Sequence, residues 1–540
     1  METLLSRLQY KPRILQYGTS GRRGLVADLT QLEIYINASA ELAYLQSLAP
    51  AEGGIRKGDD FFYAYDLRPS SSRFVPEDGG CGEIVQAVEM AVRDAGMVPV
   101  NCGTIPTPAL ALYALNRQKG SMMITGSHIP FDRNGYKTNT SLGELRKEDE
   151  EPINRLVQEI RERHYRQTFP ESRFDEKGLF KTGHQELAPE TAEARRFYIH
   201  RYTHFFAGRP LDGKRLLVYQ HSAVGRDMLV EILQQLGAEV SAAGRSDIFV
   251  PVDTENVGDD QLAAIQSLVD AQDGSFDAVV STDGDSDRPV VLGIDPHSGG
   301  VRFFGGDLLG MVVAEFLQAD AVVVPINCND AIDLGNLKLI MEPKTRLGSP
   351  FVIAGMQKAS AKGKKRICGW EANGGFLLGS DIRHAGSTLP ALPTRDAVLP
   401  ILAVLLAAAE KGLSLIDLFA RLPKRFSRAA LLRNIPRAVG RKIMEQFSPA
   451  DESTPPQIQE HLAEFFPPSQ GFSRIAGLNY TDGLRIFFGN DEVVHLRPSG
   501  NADEFRIYAV ADTQERANTI AHLGIAEPDG ILRRLVRSVS

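Results

Sequence analysis

Residues 121–137, SMMITGSHIPFDRNGYK, run from a short apolar strand into a loop that sets a hydroxyl, Ser127, beside an imidazole, His128, ahead of Asn134, Gly135 and Lys137. A polar loop at a strand end is where α/β proteins hold ligands; the same residues also fit a surface loop with an incidental Ser-His pair. A second loop, STDGDSDRPV (281–290), alternates Asp283, Asp285 and Asp287 with small spacers. In a flat strand their carboxylates would stand about 6–7 Å apart on one face and repel one another. Curled into a loop they converge on one hard cation, and Mg2+ suits such oxygens while keeping positions for phosphate. An EF-hand calcium loop is not matched: Arg288 stands where that loop needs glycine, and no glutamate occupies the twelfth position. In GWEANGGF (369–376), Glu371 and Asn373 have the groups to hydrogen-bond vicinal sugar hydroxyls, although an ordinary glycine-rich turn explains them as well. In RPSGNADEFRIY (497–508), Arg497, Ser499, Gly500, Asn501 and Arg506 offer forked donors, a hydroxyl and backbone N–H groups suited to a phosphate monoester.

The elements that must position these loops follow a repeated grammar. KRLLVYQHS precedes GRDMLVEILQQLGAEV, FDAVVSTDGDSDR precedes GDLLGMVVAEFLQ, and KRICGWEANGG precedes RDAVLPILAVLLAAAEKG. Strand, polar loop and helix in alternation predict α/β layers with mostly parallel sheets. After about residue 425, RAALLRNIP, DGLRIFFGNDEVVHLRPSG and EFRIYAVADT read as antiparallel strands of a separate α+β domain. The expected domains are 1–204, 205–308, 309–424 and 425–540. Two polar stretches interrupt the grammar: 166–196, expected to be a linker or surface insertion, and 448–470.

A chain of 540 residues is too long for one core. A net charge of −8 argues against a surface that coats nucleic acid, without excluding an arginine-lined cleft for a small anion. Four scattered cysteines without CxxC spacing suit a reducing compartment and argue against zinc. The N-terminus lacks a signal-peptide core, and the apolar run AVLPILAVLLAAA (397–409) is too short for a membrane span and contains Pro400. A cytoplasmic protein with no membrane or nucleic-acid partner is expected.

The four loops, in this order, resemble those of the α-D-phosphohexomutases, and the resemblance spans nearly the whole chain. The serine loop T-x-S-H-x-P…N-G-x-K is met by Thr125, Ser127, His128, Pro130, Asn134, Gly135 and Lys137, and the metal loop D-G-D-x-D-R by Asp283–Arg288. The sugar loop G-E-x-[SN]-G is approximated by Gly369 to Gly374 with Trp370 inserted, and the phosphate loop R-x-S-G-[TN]…R-x-Y runs from Arg497 to Tyr508. YGTSGRRG (17–24) and TDGLRI (481–486) fit flanking signatures.

The resemblance implies three similar mixed α/β sheet domains plus a C-terminal α+β domain around a central cleft. It further implies that Ser127 carries a phosphoryl group between the two ends of a hexose monophosphate through a bound 1,6-bisphosphate, which also serves as activator. Mg2+ would be held by Asp283, Asp285, Asp287 and a phospho-Ser127 oxygen, with His128 and Lys137 sharing the proton transfer. Arg23, Arg288, Lys344, Glu371 and Asn373 would contact substrate, and Arg497, Ser499, Gly500, Asn501 and Arg506 would hold the phosphate that is not reacting. TGSHIP resembles the bacterial phosphomannomutase branch, whereas EANGG is similar to the E-A-N-G-H of acetylglucosamine-phosphate mutases. Gly375 stands where many phosphomannomutases have histidine. Mannose phosphate is the expected substrate, with glucose or amino-sugar phosphates next and a Mg-dependent phosphatase or sugar-phosphate sensor as rival classes. A monomer or homodimer is expected.

Overall fold

The computed structural model describes residues 2–18, 20–255, 257–384, 386–448, 456–499 and 503–539. Among the described residues four larger sheets follow one another along the chain, with two two-stranded ribbons, Phe74–Val75 with Cys81–Gly82 and Ile382–His384 with Ser387–Leu389, beside them. The first is ordered Gln16–Tyr17, Arg22–Leu25, Arg133–Thr140, Ser121–Ile124, Asp60–Tyr65, Val98–Asn101, with Gly143–Glu144 paired to Arg133–Thr140. The second is ordered Glu239–Arg245, Arg215–His221, Ala278–Thr282, Pro289–Ile294, Val301–Phe303. The third is ordered Ala321–Val323, Ile367–Trp370, Phe376–Leu378, Leu392–Asp396. The fourth, ordered Phe426–Arg433, Glu504–Ala511, Val493–Pro498, Leu484–Phe488, Ile475–Asn479, is antiparallel throughout.

The first three sheets are mixed rather than mostly parallel. In each, parallel neighbours give way to an antiparallel return, and a polar loop sits at that return: 125–132, 283–288 and 371–375. The site loops therefore lead into a returning strand, not directly into a helix. Loop length is the physical reason, because a parallel crossover needs about a dozen residues or more and none of these loops has them. The helices of the alternating grammar come later, as Gly306–Phe316 after Val301–Phe303 and as Val398–Lys411 after Leu392–Asp396.

One apolar cluster runs from Phe62 through Leu216 and Val312 to Leu402, joining the first three sheets into one body. Helix Val398–Lys411 lies in it, and Pro400 falls in the first turn, where its missing N–H breaks no helical bond. Among the described residues no helix is long and apolar enough to cross a membrane. The fourth sheet closes a core of its own around Phe447, Phe466, Ile507 and Leu532. Polar contacts tie it to the third domain, with Arg485 Nη2 on both oxygens of Asp330 (2.5 and 2.6 Å) and the Leu347 N–H on Asp482 (2.8 Å).

Residues 166–196 are neither a free linker nor a loose insertion. The segment folds back across the first domain and buries Phe174 and Phe180 against Tyr35 in its core. Of 448–470, residues 449–455 lie outside the described residues, while Pro456–Ala463 is a helix whose Leu462 enters the fourth core.

Candidate active site

Ser127 occupies a left-handed backbone conformation (φ +55°), uncommon for a residue with a side chain and worth a local explanation. Its N–H donates to Thr125 Oγ1 (2.7 Å), and that hydroxyl in turn donates to buried Asp66 (2.7 Å). From beneath the loop, Arg68 donates to the carbonyls of Ser127 (2.8 Å), Ile129 (2.6 Å), Pro130 (2.8 Å) and Arg133 (2.8 Å). Its guanidinium also lies over the Phe249 ring of the second domain, 3.9 Å from the centroid. The loop is thus shaped by one buried cation that has no part in its own sequence.

The metal loop abuts the serine loop directly. A Cβ on Gly284 would stand 2.6 Å from the Ser127 carbonyl oxygen, so the spacing Asp-Gly-Asp is a steric requirement of this contact. Ser127 Oγ donates to Asp283 Oδ2 at 2.7 Å, and Asp283 Oδ1 accepts the N–H groups of Asp287 (3.1 Å) and Arg288 (3.2 Å). Lys137, opposite Met123 on the returning strand, donates to both Asp285 Oδ2 and Asp287 Oδ2 at 2.6 Å. Arg288 Nε lies 3.6 Å from Asp287 Oδ1.

The three aspartates are buried, and one oxygen from each lies within 4.8 Å of the others. Asp283 is pushed well above the usual carboxylate range by burial and by the charges of Asp285 and Asp287. Asp285 is driven well below it, because Lys137 and the Thr107 hydroxyl outweigh the opposing effect of burial. Oδ1 of Asp285 and Oδ1 of Asp287 are buried without a hydrogen-bond partner. Orphaned carboxylate oxygens in an all-oxygen donor set fit a hard divalent cation such as Mg2+.

His128 Nδ1 stands 3.4 Å from Ser127 Oγ. Burial, with the Arg288 and Arg506 guanidiniums nearby, holds its imidazole well below the ordinary histidine range and so keeps it neutral. Arg23 is lowered to about 10 by burial, with the attraction of Asp285 opposing and the charge of Arg68 adding, which places it beside the same cluster.

Glu371 and the metal loop share a cation that the sequence reading did not single out. Arg395, from the end of strand Leu392–Asp396, donates through Nε to Asp287 Oδ2 (3.0 Å) and through Nη1 to Glu371 Oε2 (3.2 Å). A Cβ on Gly375 would meet Arg395 Cδ at 2.5 Å, so the side chain of Arg395 takes the space that a side chain at position 375 would need. Trp370, the inserted residue, is a core side chain against Gly310 and Phe376. Asn373 Oδ1 accepts the Gly375 N–H (2.9 Å) and thereby shapes its own loop.

The remaining candidates are dispersed. Lys344 bonds Asp330 (2.9 Å) and Asp333 (2.6 Å), on the wall of a cavity of about 690 Å³ between the third and fourth domains, and makes no hydrogen bond to Glu371 or Asn373. Arg497 is held by Asp482 (3.0 Å), and the Ser499 N–H donates to the Glu504 carbonyl (2.8 Å). Arg506 reaches across the cleft to Glu255 of the second domain (3.2 Å). Gly500 and Asn501 lie outside the described residues.

A buried serine facing an acidic, cation-ready loop at the meeting of mixed α/β domains defines a multidomain phosphoryl-transfer enzyme. Family models agree: residues 15–164 match phosphoglucomutase/phosphomannomutase α/β/α domain I, and residues 305–426 match α/β/α domain III. The chain is 37% identical over 519 residues to a phosphomannomutase of Sinorhizobium fredii, covering 95% of this chain and 98% of that protein. It is 37% identical over 508 residues to a phosphomannomutase of Salmonella muenchen, covering 94% of each. A solved phosphoglucomutase/phosphomannomutase family protein of Burkholderia thailandensis shares the fold, with a TM-score of 0.62 at 17% identity over 96% of this chain and 97% of that one. The chain belongs to the phosphoglucomutase/phosphomannomutase family of α-D-phosphohexomutases, and it is an enzyme of the isomerase type that works by phosphoryl transfer.

Proposed function

We propose that the protein interconverts hexose 1-phosphates and hexose 6-phosphates, with mannose phosphate preferred, through phospho-Ser127 and a bound hexose 1,6-bisphosphate. The observation that carries this reading is Ser127 Oγ at 2.7 Å from Asp283, inside a buried carboxylate cluster with two unpartnered oxygens. The choice of mannose rests on the names of the two relatives at 37% identity.

Asp283, Asp285 and Asp287 would hold Mg2+, which supplies charge neutralisation to a phosphoryl group on Ser127. Lys137, Arg288 and Arg23 set further positive charge around the same point. His128, neutral and 3.4 Å from Ser127 Oγ, is placed to accept and return the proton of the attacking or leaving hydroxyl. Lys137 is committed to two carboxylates and serves as a fixed charge instead. Glu371, oriented by Arg395, and Asn373 would grip sugar hydroxyls, with Lys344 at the margin of that site. Arg497, Ser499, Gly500, Asn501 and Arg506 would hold the phosphate that is not reacting. A separate core and a polar seam let the fourth domain move against the other three, which admits substrate and then excludes water. The reading extends to a cytoplasmic enzyme, monomeric or homodimeric, activated by hexose 1,6-bisphosphate.

Phosphorus NMR on mannose 1-phosphate and glucose 1-phosphate, with Mg2+ and a trace of the matching bisphosphate, tests the reaction and the sugar. Conversion to the 6-phosphate, faster for mannose and lost in Ser127→Ala, is expected. Release of inorganic phosphate would identify a phosphatase instead.

A further inference from the structure

Asp253, Thr254 and Glu255 lie on the second-domain loop between strand Glu239–Arg245 and helix Asp259–Asp270. The Thr254 hydroxyl donates to the Asn373 carbonyl (2.7 Å), which fastens this loop to the sugar loop, and Asp253 Oδ1 accepts the Glu255 N–H (3.1 Å). The side chain of Glu255 then spans the cleft: its Oε2 accepts from Arg506 Nη1 at 3.2 Å, while Arg506 Nη2 reaches Glu504 of its own strand at 3.1 Å. Both partners are largely enclosed, at 13% exposure for Glu255 and 18% for Arg506, and Arg506 Nε is buried without a partner. Arg288 and Glu371 are close enough to Glu255 to influence its ionisation, so this carboxylate stands between the metal loop, the sugar loop and the phosphate loop.

An acidic side chain is an odd occupant for a cleft that must receive a phosphate. We propose that Glu255 is a positioning residue that occupies Arg506 in the free enzyme and yields it to the substrate's non-reacting phosphate. The proposal rests on the reading of Arg506 as part of the phosphate loop. A single carboxylate contact at 3.2 Å is displaced by a phosphate dianion, which brings two charges and forked acceptors to the guanidinium. A sulfate dianion competes less well, since its charge is spread over weaker acceptor oxygens. When the bisphosphate turns and its phosphate leaves Arg506, Glu255 takes the guanidinium back and holds the fourth domain across the cleft. Glu255 thereby weakens anion binding at the phosphate loop by one common factor and keeps Arg506 paired during reorientation.

The test is steady-state kinetics of Glu255→Gln on mannose 1-phosphate and glucose 1-phosphate, with inorganic phosphate and inorganic sulfate as competitive inhibitors. Removal of the competing charge is expected to lower KM about tenfold, the factor that 1.4 kcal/mol corresponds to. It should also lower the inhibition constants of phosphate and sulfate by a similar factor, because the fraction of Arg506 left free is common to both anions, while kcat does not rise. A merely structural role would raise KM or lower kcat and leave both inhibition constants at or above their wild-type values, which overturns the proposal. Glu255→Asp, one methylene shorter, should shift KM and both inhibition constants in the same direction by less, and it serves if the glutamine variant does not fold. Arg506→Gln run in parallel separates the two readings. If it leaves KM unchanged, the phosphate-loop assignment itself fails; if it raises KM while both Glu255 variants behave as wild type, only the role of Glu255 fails.

Discussion

Replacing Arg395 with methionine keeps the length of the side chain and removes its charge. Arg395 is 3% exposed, and its partners Asp287 and Glu371 are equally enclosed, so water cannot take over either contact. Removing one member of a buried pair costs about 3–5 kcal/mol, because a charge is left without compensation. Asp287 keeps Lys137 at 2.6 Å, so the lower end of that range applies, about 3 kcal/mol. At about 2–4 °C per kcal/mol the melting transition of the three-domain body should drop by several degrees. Mg2+ can restore charge balance at Asp287 but not at Glu371, so the deficit should shrink with added Mg2+ without closing. Glu371 loses its orientation, and kcat/KM should fall about a hundredfold, equivalent to about 2.7 kcal/mol of transition-state contact. Arg395→Lys reaches one carboxylate and should fall between. Scanning calorimetry with and without Mg2+, together with initial rates, measures all of this. An Arg395→Met enzyme with wild-type melting and kcat/KM within about twofold would refute the idea that this bridge organises the site.

Arg68→Met should leave four loop carbonyls without their donor and lower kcat more than KM, read from initial rates at saturating bisphosphate. Chelation of divalent metal should abolish transfer, and Mg2+ should raise the melting temperature by relieving repulsion among Asp283, Asp285 and Asp287, followed by calorimetry across a Mg2+ titration. His495 is buried in the fourth domain and lowered to about 4 by burial and by Arg485, so it stays neutral in the native state. Between its unfolded value, about 6.5, and pH 4 the unfolded chain binds the extra proton, so the stability it contributes is complete above pH 6.5 and is lost as pH falls, by roughly 3 kcal/mol. Denaturation of the wild type and His495→Gln at pH 7 and pH 4.5 checks this, and the variant should show the shallower loss.

The loops were legible because their residue types announce chemistry within a few positions: a Ser-His pair, three alternating aspartates, and two arginines around a serine. What the sequence hid is how neighbouring strands feed those loops. Arg68 lies in the polar loop after a strand and Arg395 opens a stretch that reads as the start of a helix, RDAVLPILAV, and only the packing of sheets brings them under Ser127 and Glu371. Glu255 sits in a stretch with no motif and matters only because two domains face each other there. The antiparallel returns are readable in principle, since loops as short as 283–288 cannot carry a parallel crossover and the turn residues DPHSGG close RPVVLGI off from the helix behind it. The strap over 166–196 was masked by its charge; Phe174 and Phe180, with Phe169 and Leu187 beside them, are the sign that a polar segment has a buried side.

The central claim is that Ser127 carries the phosphoryl group. The direct measurement is to incubate the enzyme with Mg2+ and hexose 1,6-bisphosphate, then locate phosphate by peptide mass spectrometry before and after adding hexose monophosphate. One phosphoryl group on Ser127, transferred stoichiometrically to the sugar with no inorganic phosphate formed, is the predicted result. Turnover with Ser127 never phosphorylated, or a phosphoryl group lost only to water, would contradict the account.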